Sequence, residues 1–222
     1  MRLARALFLL TAVAGLLSGA QATRRALDLG ELQLPPGFEI SIYARNLGSA
    51  RMLAFGPTGV LFVSDTGGRI RAVPEAGQVV VFAGGLRQPH GLAFRGNDLY
   101  VAENHRIVVF RNATHPSLTG GTPEQVAELP GGGGHSTRTI LWTSDGRLLA
   151  TAGSTCNICN ESEPRRASAM RFNADGSGLE IFARGLRNTV GIAVHPVTGE
   201  VWGTDNGGDG LGNDQPSEEI NI

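Results

Sequence analysis

The sequence predicts an all-β protein, a β-propeller of which about four blades are present. Three observations carry this. The chain repeats itself, its strand-like runs are short, and glycine is abundant (32 of 222 residues) while no convincing amphipathic helix is found beyond the first 22 positions. The repeat is clearest in IYARNLGSARMLAF (42–55), VFAGGLRQPHGLAF (81–94) and IFARGLRNTVGIAV (181–194). Each copy is followed by a turn and a second apolar run: GPTGVLFVSD (56–65), RGNDLYVAE (95–103) and HPVTGEVWGTD (195–205). A fourth copy, TILWTSDGRLLATAGS (139–154), lacks the FARGL lead-in. With Phe55, Phe94, Trp142 and Val194 taken as equivalent, the spacings are 39, 48 and 52 residues. Periods of that length suit stacked units of about four strands. RIRAV, VVVFA, RIVVF, AMRF and LEIFA fill the gaps, several alternating apolar with polar residues as half-buried strands do. A β-sandwich would not account for the repeated lead-ins.

The remaining features follow in chain order. Residues 1–22 read as a signal peptide: Arg2 and Arg5 supply the positive start, Ala6 to Leu17 the apolar core, and Ala20-Gln21-Ala22 the cleavage site. The mature chain is then a partial propeller over 23–222. The apolar stretch is short for a bilayer span. The expectation is a periplasmic or secreted protein with no stable membrane span after cleavage. The net charge of −1 offers no broad basic surface for nucleic acid. All 19 basic residues are arginine, which reads as codon usage rather than chemistry.

The FA-x-GL-R segments should link the outer strand of one blade to the inner strand of the next, at the end of the channel where propellers bind ligands. GGGGHSTRT (131–139) occupies that slot before the third inner strand, and Leu186-Arg187-Asn188 before the fourth. His135 and Arg187 are therefore expected to converge on one pocket from neighbouring blades. Glycines without a Cβ let the backbone there approach a ligand closely.

Three motifs resemble the soluble quinoprotein sugar dehydrogenases, the group of soluble glucose dehydrogenase, the L-sorbosone dehydrogenases and the pyranose dehydrogenases. They are LPPGFEISIYA (34–44), similar to an opening strand, HSTRTILWTSDGRLLATAGS (135–154) and GLRNTVGIAVHPVTGEVWGTDNGGDG (185–210). The resemblance runs from about Leu34 to the end. It implies a six-bladed propeller carrying pyrroloquinoline quinone (PQQ) and Ca2+, which oxidises a sugar or sugar aldehyde and passes electrons to a quinone or cytochrome. By the same resemblance His135 is the general base, Arg187 lies beside the reacting quinone carbonyl, and Arg187 with Asn188 holds the cofactor. Gly207 and Gly208 fall near a calcium-binding turn, and Glu218 near an acidic second-metal region. An imidazole base and an arginine facing a developing negative charge are sound chemistry for this reaction. The cofactor carries the redox step.

The chain also departs from the family. Glucose dehydrogenase has an aspartate where Gly134 stands and an acidic residue where Ser154 stands, which favours the sorbosone or pyranose branch. The chain stops at Ile222 after about four blades, so the resemblance implies a fragment, inactive by itself.

Other features carry less. Asp205-Asn206-Gly207-Gly208-Asp209-Gly210 opens like a calcium loop but has no acid at its third position and Pro216 at its twelfth, unlike an EF-hand. Cys156 and Cys159 suggest a disulfide in an exported protein, with a redox-active pair as the alternative. His90 either lines the pocket rim or bonds a turn carbonyl. Two other functions stay open: a non-catalytic propeller that binds a partner or glycan, and a calcium-dependent lactonase or esterase.

Overall fold

A computed structural model describes residues 29–212 and 218–222. The expected signal peptide over 1–22 and Pro216 lie outside the described residues. Two compact units divide the chain at Ser41. In the first, a 3-10 turn spans Leu29–Glu31, and the Phe38 amide donates to Pro35 O at 3.2 Å.

The second unit is a set of four antiparallel sheets, each a simple meander. The first sheet comprises β1 (Ala50–Phe55), β2 (Leu61–Asp65), β3 (Arg69–Val73) and β4 (Val80–Ala83). The second comprises β5 (Leu92–Arg95), β6 (Asp98–Ala102), β7 (Arg106–Phe110) and β8 (Glu124–Glu128). In the third are β9 (Ile140–Trp142), β10 (Leu148–Ala152), β11 (Ser168–Phe172) and β12 (Glu180–Arg184). The fourth has β13 (Thr189–Val194), β14 (Val201–Asp205) and β15 (Glu219–Asn221). The leading strands β1, β5, β9 and β13 touch one another in succession. This is a four-bladed β-propeller arrangement with the leading strands innermost.

The repeat seen in the sequence is the register of these blades. Phe55 pairs with Leu61, Phe94 with Leu99, Trp142 with Leu148 and Val194 with Val201, each across the first hairpin of its sheet. Those hairpins close on glycine. Gly59 and Gly146 have φ near +80°, which a residue with a Cβ seldom adopts, and their amides return to Gly56 O and Thr143 O at 2.9 Å.

Burial between blades holds the fold together. Phe62, Phe82, Leu92, Leu99 and Phe110 fill the space between the first and second sheets. Phe62 meets both Phe82 and Phe94 edge-on at 5.1 Å. Tyr100, Ile107, Ile140, Leu148, Met170 and Phe172 do the same between the second and third. Each fully buried aromatic or aliphatic side chain stabilises by about 1.5–3 kcal/mol.

Two expectations need correction. Residues 34–44 form no strand, and Ile42-Tyr43-Ala44 likewise contribute none. A strand exists only as one side of a ladder, and the described residues offer that stretch no ladder partner beyond Tyr43 O, which accepts from the Gly77 amide. Conversely, β8 and β15 had no signal of their own. EQVAE and EIN are short and mostly polar, and form strands because β7 and β14 present open edges to them.

Candidate active site

The shared register exposes a pattern and one exception. Four residues after Leu61, Leu99 and Val201 stand Asp65, Glu103 and Asp205, and all three are buried. Each carboxylate collects amides of the linker entering its own blade. Asp65 accepts from Ser49 N at 3.0 Å, and Glu103 from Arg87 N. Asp205 accepts from Arg187 N, Asn188 N and the Thr189 hydroxyl at 2.7–2.8 Å. Burial pushes the Asp65 carboxyl up, but the Gly67 and Ser49 amides together with Arg71 outweigh it and hold it below the usual range.

In the third blade the equivalent position is Ala152. The linker there is built differently. His135 stands seven residues before Trp142, as Arg87 and Arg187 stand before Phe94 and Val194. Its amide donates to Ser154 O at 2.9 Å. Its Nδ1 lies 3.0 Å from both Ser154 O and Ser154 Oγ. A carbonyl oxygen only accepts, so this contact assigns the hydrogen to Nδ1 and leaves the lone pair of the neutral ring on Nε2. The Ser154 hydroxyl in turn donates to Cys156 O at 2.7 Å.

Gly153 allows this arrangement. A Cβ on it would fall 2.6 Å from His135 Cβ and 2.7 Å from Asn188 Oδ1. Asn188 Oδ1 also accepts the Thr137 hydroxyl at 3.1 Å. Ser154 N donates to Arg187 O at 2.8 Å, so one residue joins the linkers of the third and fourth blades.

Two arginines that sequence reasoning missed hold the glycine loop. Arg138 is fully buried, and its guanidinium donates to His135 O, Thr137 O and Pro130 O at 2.6–2.9 Å. Arg166 donates to Gly131 O at 2.5 Å and Gly153 O at 3.2 Å. Burial, helped by the Arg166 charge, pushes the Arg138 guanidinium down to about 10. The acceptors are main-chain oxygens, so no side-chain pattern marks them in the sequence.

Arg187 is pinned from the opposite side. Its Nε donates to Asn157 O at 2.8 Å, and Nη2 to Asn157 Oδ1 and Asp209 Oδ2 at 2.7 Å. Nη1 reaches Asn206 O at 3.1 Å. A cavity of about 450 Å³ opens here, lined among others by Asn157, Glu161, Arg166, Arg184 and Arg187. His135 is not in its lining. It meets Arg187 through Ser154 rather than across a shared pocket.

Gly207 N donates to Glu218 Oε2 at 3.0 Å, and a Cβ on Gly208 would touch Ile158 Cδ1 at 3.0 Å. Glu218 is thus bonded to the Gly207 turn, and the Asp209 carboxylate to the Arg187 guanidinium. Cys156 and Cys159 are joined as a disulfide close to Glu161. Bonded sulfurs have no thiolate to offer a metal.

His90 falls in the second linker. Its Nδ1 faces Arg138 O at 3.2 Å, and the ring lines a separate cavity of about 270 Å³ with Arg51, Gln88, Ser136 and Thr137. The carbonyl-bonded reading of this residue therefore holds, while the cavity it lines is not the one at Arg187.

Residues 32–222 match the family described as TrAA12-like. An uncharacterized protein of Borreliella burgdorferi (strain B31) is 29% identical over 205 residues, covering 86% of this chain and 53% of that one. A calcium structure of the Trichoderma reesei carbohydrate-active enzyme of family AA12 superposes with a TM-score of 0.66 at 22% identity, over 79% of this chain and 52% of that one. The holo PQQ domain of Coprinopsis cinerea pyranose dehydrogenase gives 0.67 at 19% identity, over 79% and 50%. The PQQ-bound aldose sugar dehydrogenase of Streptomyces coelicolor gives 0.62 at 20%, over 75% and 59%. These structural likenesses establish the propeller fold. The chain spans about half the length of these relatives.

Proposed function

The chain belongs to the TrAA12-like family, and from that premise we propose that it serves an exported, PQQ- and calcium-dependent dehydrogenase acting on a sugar or sugar aldehyde. The observation that carries the reading is the His135 ring: with Nδ1 committed to Ser154, Nε2 presents a lone pair in a linker slot next to Arg187 and Asn188. A positioned base of that kind takes the proton of a substrate hydroxyl.

The residues present fit the cofactor by their chemistry. PQQ is a polyanionic quinone, and Arg166, Arg184 and Arg187 line one cavity. Planar guanidinium groups match carboxylates. Arg187 and Asn188 would hold it, with Gly207, Gly208 and Glu218 beside its metal. When bound, PQQ would supply the hydride acceptor. The work left to this chain is to fix the imidazole, keep Arg187 in place and shape the linker face. Reoxidation would fall to a quinone or cytochrome in the periplasm or outside the cell.

The test is a titration of the intact protein with PQQ, in calcium or in chelator, following quinone absorbance and aldose-dependent dye reduction. Saturable binding that needs calcium, with sugar-driven reduction, is expected. Equal behaviour with and without calcium overturns the metal assignment. No binding in either condition overturns the cofactor assignment.

A further inference from the structure

The loop closed by Cys156 and Cys159 lies between the two groups just described and touches both. Toward His135, Cys156 O accepts the Ser154 hydroxyl whose oxygen faces the imidazole Nδ1. Toward Arg187, Asn157 offers its main-chain oxygen and its Oδ1 to two different guanidinium nitrogens. Asn157 is itself braced: Nδ2 donates to Asp209 O, and Asp209 N donates to Oδ1, each at 2.8 Å. Glu161 ties the far end of the loop back through the Thr155 amide and hydroxyl.

We propose that Asn157, held by the Cys156–Cys159 bridge, is the positioning residue for Arg187. This rests on the reading of Arg187 as a cofactor-holding group. Asn157 and Asp209 are both exposed, and the count of bonds favours Asn157 over the obvious ion pair, with two to the guanidinium against one. The Asp209 side chain is 85% exposed, and an ion pair that wet contributes little. The Arg187 side chain is only 15% exposed, and its two bonds to Asn157 are charge-assisted and aim the guanidinium from one side. The bridge spans a sequence separation of three. Closing so short a loop removes little entropy from the unfolded chain. Its contribution is therefore the local shape of the two residues between the cysteines, Asn157 among them, rather than global stability.

The experiment reads Arg187 directly, without cofactor. The intact protein is treated with phenylglyoxal, which modifies accessible arginines, and adducts are quantified by peptide mass spectrometry. Arg71, 16% exposed and paired with Asp65, is the internal reference. Asn157→Ala, which removes the Oδ1 acceptor and leaves the main-chain one, and the Cys156→Ser, Cys159→Ser double variant should each raise Arg187 modification by about tenfold, the effect of losing a charge-assisted hydrogen bond, with Arg71 unchanged. Asn157→Asp restores the Oδ1 acceptor, losing only the Nδ2 bond to Asp209 O, and should stay closer to wild type than Asn157→Ala, a rescue that loss of fold would not show. Asp209→Asn should change less than Asn157→Ala.

Arg187 reactivity unchanged in both Asn157→Ala and the double serine variant overturns the proposal, as does equal release of Arg71. PQQ affinity measured on the same proteins should weaken in parallel. If the wild type binds no PQQ, the functional reading fails, while the arginine reactivities still decide whether Asn157 holds Arg187.

Discussion

The linkers entering the second and third blades each contain a histidine whose Nδ1 faces a main-chain carbonyl. Their surroundings make them different groups. His90 is 3% exposed, and burial pushes its imidazole down to about 4, against a smaller upward pull from the Arg138 carbonyl. It stays neutral under ordinary conditions and serves to join two linkers. Its amide donates to Ala102 O, and the adjacent Gly91 amide shares the Arg138 carbonyl. His135 is half-buried, so the same bond type orients a ring that remains partly open to solvent.

The acid in each blade accounts for part of the contrast. In the second blade Glu103 takes the Arg87 amide and pairs with Arg106. In the third, Ala152 replaces the acid and Gly153 follows, and the linker turns its imidazole onto Ser154 instead. The histidine proposed as the base thus sits where the repeat is broken, not where it is kept.

The largest expected effect separates the two histidines by activity. In the full-length protein His135→Ala should cut turnover about 10²–10⁴-fold, the usual contribution of a positioned acid or base. The fold and PQQ affinity should remain, since Arg187 and Asn188 are untouched. Turnover within threefold of wild type would return His135 to the status of a loop residue and erase the contrast. The measurement is steady-state dye reduction beside a denaturation curve.

The second separates them by pH. The folded value of His90 lies below its ordinary one, so the unfolded chain binds the extra proton between the two. Its neutral burial costs nothing above about pH 6.5, and stability falls as pH drops toward 4, by about 3 kcal/mol. Urea unfolding of wild type and His90→Leu across that range isolates the term. The variant should be less stable at neutral pH yet lose less on acidification. Parallel curves would show that His90 takes up its proton as readily in the folded chain as in the unfolded one.

The smallest concerns the bare backbone beside His135. Gly153→Ala places a methyl group against His135 and Asn188, at 2.6 and 2.7 Å. Overpacking of this sort costs about 1–3 kcal/mol. Thermal unfolding should register that loss, and turnover should fall with it because both side chains must move. A neutral substitution would mean that Ala152, not Gly153, makes the room.

Much of the fold was legible because it is local. The alternation of apolar residues and the glycine turns define hairpins, and the equivalence of Phe55, Phe94, Trp142 and Val194 is their true register. That register also makes Asp65, Glu103 and Asp205 equivalent, with Ala152 as the odd position, a signal present in the sequence once the repeat is aligned. The short polar strands β8 and β15 were not legible, since neighbouring edges induce them.

The sequence by itself determined the propeller, its blade phase, and the presence of His135 and Arg187-Asn188 in linker slots. Only the tertiary structure decided how those side chains are held. Arg138 and Arg166 bind Pro130 O, Gly131 O, Thr137 O and Gly153 O, and Arg187 binds Asn157 O from thirty residues away. Every residue carries a main-chain carbonyl, so such an acceptor leaves no mark in the amino-acid pattern. Which carbonyl meets which guanidinium is settled by the folded path of the chain alone.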